Sequence, residues 1–264
     1  MRFALLPILF ACASLMTGCV ITDDYVKFDS PVAANKQIRS FDEGSWDSER
    51  ALIQAAEKAG NWPLVISVAS DVVAKNPTNV AARVSLARAQ TRSGDPTQAL
   101  RTLSFITGVS TTPFQIERAR ALMALHDRAA ALKILTPILE NVKKDPSLLT
   151  FEERRSALAL AAVAYAHEGK FGEADQIYEG LLAEADDPTV RYNYARSLLL
   201  EGRSEDAYRQ LLPIMDAVPA ARPTAVAALL KLGRESEARA LLKGVISDEK
   251  IDALISAVRQ GARK

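Results

Sequence analysis

A turn residue returns along this chain at intervals of about 34 residues, and this spacing limits the fold more than any other feature. "AGNWPLVISVASDVVAKNP" (Ala59–Pro77) and "SGDPTQALRTLSFITGVSTTP" (Ser93–Pro113) each set Gly in a short polar turn, follow it with an apolar stretch and close on Pro. Gly60 and Gly94 stand 34 residues apart. "EGKFGEADQIYEGLLAEADDP" and "EGRSEDAYRQLLPIMDAVP" match more closely, with Gly169 and Gly202 33 apart and Gly233 a further 31 on. His126 holds the turn place in a sixth copy, "LHDRAAALKIL", 32 residues after Gly94. Five residues after each turn residue come Val65, Ala99, Ala131, Ala174, Ala207 and Ala238. Seven residues before it stand Ala87, Ala119, Ala162 and Ala195 in four of the copies. A period of this length belongs to stacked supersecondary units.

Each copy reads as two antiparallel helices. Gly allows the sharp turn between them, and the small residues on either side let the two backbones approach. Composition agrees: 48% of the residues are hydrophobic but only 6% aromatic, so the apolar content is mostly Ala, Leu and Val. That mixture suits closely packed helices better than a β-sandwich. "LVISVASDVV" is rich in β-branched residues, yet Leu64, Val65, Val68 and Val72 fall at helical spacing, which predicts a helix. Pro77 and Pro219 are expected to end their second helices. One step is long: His126 to Gly169 is 43 residues. The excess lies in "NVKKDPSLLTFEERR" (Asn141–Arg155), where an irregular loop or lengthened helices, and a break between two sub-arrays, are expected. Ser247 reads as the N-cap of a last helix with Ile251, Leu254, Ile255 and Val258 on one face, most simply a cap on the array.

The period, the turn Gly, the small residue five places later and the closing Pro resemble the tetratricopeptide repeat (TPR). Tyr165, Phe171 and Tyr178 fall on that motif's aromatic places in the fourth copy. The resemblance implies an all-α TPR helical solenoid of about six helix pairs. It also implies a partner-binding groove lined by the first helices, faced by the residue six places before each turn residue. Those residues are Gln54, Arg88, Arg120, Val163, Arg196 and Ala227, with Tyr192 and Asn193 beside Arg196. Three arginines on one face suit carboxylates or an acidic peptide segment; equally, they are solvated charges with no ligand. The Lys/Asn carboxylate clamp of TPRs that bind chaperone C-termini is not reproduced, which disfavours that ligand class.

The N-terminus determines the expected address. Arg2 precedes an apolar run, Phe3 to Leu15, that is short for a membrane-spanning helix but right for a secretory signal peptide. Thr17-Gly18-Cys19 at its end resembles the bacterial lipobox, with Met16 where Leu is usual. The resemblance implies cleavage before Cys19, diacylglycerol on its thiol and acylation of the new amine, enough chains for stable anchoring. Val20 follows where Asp would retain such a lipoprotein at the inner membrane, so the outer membrane is expected. The resulting division is a signal peptide at 1–18, a lipidated flexible tether at 19–44, a repeat array at 45–246 and a C-terminal helix and tail at 247–264. Within the array the units fall around 46–79, 80–111, 112–142, 155–187, 188–218 and 219–246.

The 33 basic and 32 acidic residues nearly cancel, so no overall field favours nucleic acid. Both cysteines, Cys12 and Cys19, lie in the leader region, leaving the body without a thiol for a disulfide, a metal or a nucleophilic attack. Phosphate-binding Gly-rich loops, an HExxH helix and a GxSxG elbow are absent. His126 replaces a turn Gly and His167 lies two residues before Gly169, so both read as turn or groove residues rather than as a base or a metal ligand. The reading is therefore a non-enzyme without a cofactor, metal or small-molecule substrate, which binds a protein from a lipid anchor on the periplasmic face of the outer membrane. In plan it is similar to the TadD-type lipoproteins of tight-adherence (Flp) pilus assembly, which implies a secretin or another pilus or secretion subunit as partner. Rival readings are a type IV pilus pilotin, the TPR lipoprotein of the β-barrel assembly complex, an adaptor for a periplasmic cell-wall hydrolase, and an enzyme with a hidden site.

Overall fold

The computed structural model describes residues 46–105 and 111–261, so the leader, the tether and Cys19 lie outside the described residues. The described residues form thirteen helices in sequence: α1 (Trp46–Lys58), α2 (Trp62–Lys75), α3 (Val80–Arg92), α4 (Pro96–Ser104), α5 (Thr112–Ala124), α6 (Arg128–Lys144) and α7 (Phe151–His167). Then come α8 (Phe171–Glu184), α9 (Pro188–Glu201), α10 (Ser204–Leu211), α11 (Ala221–Lys231), α12 (Glu235–Leu242) and α13 (Asp248–Gly261). The first twelve form six pairs, each joined across one of the predicted turn residues. Among the described residues there is no strand and no helix long and apolar enough to cross a membrane.

All six turns have the same backbone. Gly60, Gly94, Gly169, Gly202 and Gly233 have φ between 66° and 93°, and His126 has φ 62°. The residue after the turn donates its N–H to the carbonyl five residues back: Asn61 to Ala56, Asp95 to Gln90, Asp127 to Leu122, Lys170 to Tyr165, Arg203 to Leu198 and Arg234 to Leu229, at 2.8–2.9 Å. The turn residue itself donates to the carbonyl three residues back. This pair of bonds is the Schellman closure, which satisfies carbonyls at the end of the first helix and needs a left-handed residue at its centre. Glycine meets that need without strain; His126 does so with a Cβ in a region that disfavours one.

The small residues lie where the helices meet. Val65, Ala99, Ala131, Ala174, Ala207 and Ala238, early in the second helices, are all completely buried, as are Ala87, Ala119, Ala162 and Ala195 on the first helices. A larger side chain at any of these places would push two helix backbones apart.

The described chain separates into an N-terminal unit, through Ala164, and a C-terminal unit from Tyr165 onward; the division falls inside α7. In the N-terminal unit each helix from α1 to α6 packs on the next in sequence, and the first helices α1, α3 and α5 also pack on one another. One core cluster joins α1, α2 and α3 through Ile53, Val65, Ala69 and Leu86. In the C-terminal unit α8 to α13 pack in the same sequential way, with α9 against α11. There α13 inserts Ile251, Leu254 and Ile255 against Val226, Leu229 and Leu242, covering the apolar edge of the last pair.

The long step is taken up by lengthened helices. α6 and α7 are 17 residues each, joined by a 3-10 turn at Pro146–Leu148. The expectation for Pro219 is corrected. α10 already ends at Leu211 and passes into a 3-10 turn, Leu212–Ile214, because Pro213 has no N–H to continue the helix.

Candidate protein-interaction face

The residues expected to line a groove sit on first helices, in different states in the two units. Gln54 on α1 is exposed. Arg88 on α3 and Arg120 on α5 are both engaged by carboxylates of this chain. Arg88 donates from Nε to Glu117 Oε1 at 2.8 Å and from Nη1 to both Glu57 oxygens at 3.1 and 3.2 Å. Arg120 donates from Nε to Glu117 Oε2 at 2.9 Å and from Nη2 to Ser156 Oγ on α7. Glu57, Arg88, Glu117, Arg120 and Ser156 thus form one hydrogen-bonded line across the first helices of four successive pairs.

Glu117 is the centre of this line. Its side chain is only 2% exposed, against 10% for Arg120 and 31% for Arg88. Burial alone pushes its carboxyl up; the Arg120 and Arg88 guanidiniums and their hydrogen bonds outweigh that and hold it below the usual carboxylate range. Two arginines and two glutamates leave the line without net charge. The sequence reading named Arg88 and Arg120 but missed Glu57, Glu117 and Ser156. A signal for the two glutamates was present: relative to their own turn residues they stand three and nine places back, and the arginines six, so all share one helical face.

In the C-terminal unit, Tyr192, Asn193 and Arg196 lie on α9. Tyr192 is nearly buried, and its hydroxyl meets Thr224 Oγ1 of α11 at 3.4 Å. The Arg196 guanidinium lies 5.9 Å from the centre of the Tyr192 ring, a cation–π distance. Asn193 is half-buried one helical turn from Arg196. Lys231 on α11 reaches back toward the Leu199 carbonyl of α9 at 3.4 Å. Val163 on α7 is half-buried, and Ala227 on α11 is buried.

Two segments, 80–104 and 188–213, match the family model of the tetratricopeptide repeat. They coincide with the pairs α3–α4 and α9–α10, one in each unit. Among solved structures, the chain is similar to a tetratricopeptide repeat protein from Parabacteroides merdae. The two are 16% identical, the match spans 81% of this chain and 99% of that one, and the TM-score is 0.52. It is also similar to a thermophilic TPR protein of Thermus thermophilus, at 20% identity over 70% of this chain and 98% of that one, with a TM-score of 0.55. At these identities the likeness is one of fold. No protein of curated function matches the chain. The fold is an all-α array of tetratricopeptide repeats, an architecture that suggests a protein-interaction scaffold.

Proposed function

We propose that this chain is a non-catalytic protein-binding scaffold, held by lipid on Cys19 at the periplasmic face of the outer membrane, that assists assembly of a pilus or secretion machine. The observation that carries the scaffold reading is the repeated first-helix face: in each unit, first helices of successive pairs pack side by side and present one surface. Stacked pairs of this kind build extended surfaces suited to a partner's segment. The lipid reading rests on Thr17-Gly18-Cys19 at the end of the apolar leader, and the outer-membrane reading on Val20. A secretin or another assembly subunit of a tight-adherence pilus is the partner by resemblance of plan.

Two experiments test this. Mass spectrometry of the mature N-terminus should find acylated Cys19, and Cys19→Ser should leave an uncut precursor; a soluble, unmodified mature chain would sink the lipid reading. Affinity purification from detergent-solubilised envelope should bring down a secretin or pilus subunit. If none co-purifies and deletion leaves secretin assembly intact, the machine named here is wrong.

A further inference from the structure

In the N-terminal unit the helices of each pair run antiparallel, so the unit has two edges. The turns at Gly60, Gly94 and His126 lie on one. On the other, second helices end and the next first helices begin. This second edge carries the three most exposed large apolar side chains among the described residues: Phe105 just after α4, 74% exposed, Leu148 between α6 and α7, 60%, and Phe151 at the start of α7, 50%. Cations surround them. The Arg83 guanidinium lies 5.3 Å from the centre of the Phe105 ring, and those of Arg154 and Arg155 lie 5.6 and 5.5 Å from that of Phe151. Lys143 and Lys144 end α6, both exposed. The carboxylates of this corner are Asp145, Glu152 and Glu153, and two of them cap the chain. Asp145 accepts from Ser147 N–H and Oγ at 2.9 and 2.7 Å, and Glu153 from Thr150 N–H and Oγ1, both at 2.9 Å. The matching loops of the C-terminal unit expose Leu212 and Val245 but also two aspartates, Asp186 and Asp216.

We infer that this edge of the N-terminal unit lies against the phospholipid bilayer that holds Cys19, with Phe105, Leu148 and Phe151 below the headgroups and the cations among them. This deepens the lipid reading of Cys19 and depends on it. The point of attachment favours this edge over the turn edge: α1 begins here, and its first residue, Trp46, follows Cys19 by 27 residues. The chemistry is that of an interfacial contact, in which Phe and Leu enter the boundary of the acyl chains and Lys and Arg meet anionic headgroups. Lys and Arg suit that depth because their apolar stems lie along buried surface while the charge stays in water. Three side chains entering alone would hold a chain weakly. A lipid on Cys19 makes their contact intramolecular, and a weak contact then persists. Contact by this edge stands the first helices of the N-terminal unit end-on to the bilayer, which leaves their shared face open to a partner.

The sequence after Cys19 contains no other cysteine, so Leu148→Cys supplies a single free thiol for a fluorescent label once Cys19 is acylated. The full mature chain is labelled there and reconstituted in vesicles of phosphatidylethanolamine and phosphatidylglycerol. Bromine on the acyl chains should quench this label several-fold more than the same label on Thr97→Cys, an exposed site near the turn edge. Phe105→Asp combined with Phe151→Asp should lower quenching at position 148 to the level at position 97. Circular dichroism checks each variant, and if the double variant is unfolded the comparison of positions 148 and 97 decides alone. Equal quenching at both positions, or at neither, overturns this inference, and mass spectrometry showing acylated Cys19 in the same sample leaves the lipid reading standing. Shielding of position 148 from aqueous iodide without quenching by bromine means that protein covers the edge, a second copy or a partner, and also overturns it. An unmodified Cys19 in a chain that does not bind the vesicles overturns both.

Discussion

The two units use one turn and two different ways of starting the helix that follows it. In the N-terminal unit the residue after the turn is Asn61, Asp95 or Asp127, and its side chain accepts the backbone N–H three residues on, at 3.0–3.3 Å. None of those three helices has an acidic residue in its first turn. In the C-terminal unit the same place holds Lys170, Arg203 or Arg234, with no side-chain cap, and each helix has acidic residues in its first turn. There the arginines bind carboxylates. Arg203 holds Asp206 at 2.9 Å and reaches back to Asp175 of the preceding second helix at 2.6 Å. Arg234 likewise holds Glu237 and reaches Glu205. The cross-repeat charges are thus on the first helices, and largely buried, in one unit; in the other they are at the turns and exposed. A repeat fixes the backbone, and the polar contacts between neighbours remain interchangeable.

The largest effect should come from the buried line. Glu117→Ala leaves Arg88 and Arg120 without their shared anion and should cost about 3–5 kcal/mol. Urea denaturation measures the loss, and hydrogen exchange should place it in α1, α3 and α5 while α9–α12 keep their protection. Equal loss of protection in both units would erase the contrast drawn here. Acid should act in the same place. The Glu117 carboxyl is depressed in the folded chain, so on acidification the unfolded chain takes up this proton first, near its ordinary value of 4.5. The stability Glu117 contributes is therefore complete above that pH and is lost as pH falls toward the lower folded value. Glu117→Gln should flatten this part of the pH profile of denaturation.

Smaller effects separate the two kinds of helix start. Asp95→Ala should cost about 1 kcal/mol, and this cost should persist in high salt because a cap is a short hydrogen bond. His126→Gly should stabilise the N-terminal unit by about 1 kcal/mol, since it removes a Cβ from a left-handed backbone. A lowered melting temperature would mean that the His126 contact with Arg128, 3.3 Å from Nη2 to Nδ1, outweighs that relief. Arg203→Ala should cost least, about 0.2–1 kcal/mol, and the cost should vanish in molar salt. A loss independent of salt would show that Arg203 acts by packing.

Much of the fold was legible because it depends on local and periodic features. Gly60 and its counterparts announce a left-handed residue, and the Ala residues five places later announce close approach; neither needs knowledge of a distant partner. The helical nature of "LVISVASDVV" followed from spacing in the same way, with Val65, Ala69 and Val72 buried together. Pro137 and Pro213 show where local reading stops. Both stand eleven residues after a turn residue. α6 runs on through Pro137 to a buried Val142, while α10 ends at Leu211, two residues before Pro213, and the chain turns Ile214 and Val218 inward. Proline removes a helical hydrogen bond in both places, so the residue type at that position does not by itself say whether the helix ends.

The candidate face divides along the same line. From sequence alone came the repeat, its period, the turn positions and the set of first-helix residues, because each is determined by neighbours within one helix pair. Only the tertiary structure decided what Arg88 and Arg120 hold: Arg88 finds Glu57 and Glu117 at sequence distances of 31 and 29, and Arg120 finds Ser156 at 36. Those pairings exist because stacking brings first helices of successive pairs side by side, and a buried carboxylate such as Glu117 is tolerated only where two guanidiniums arrive together.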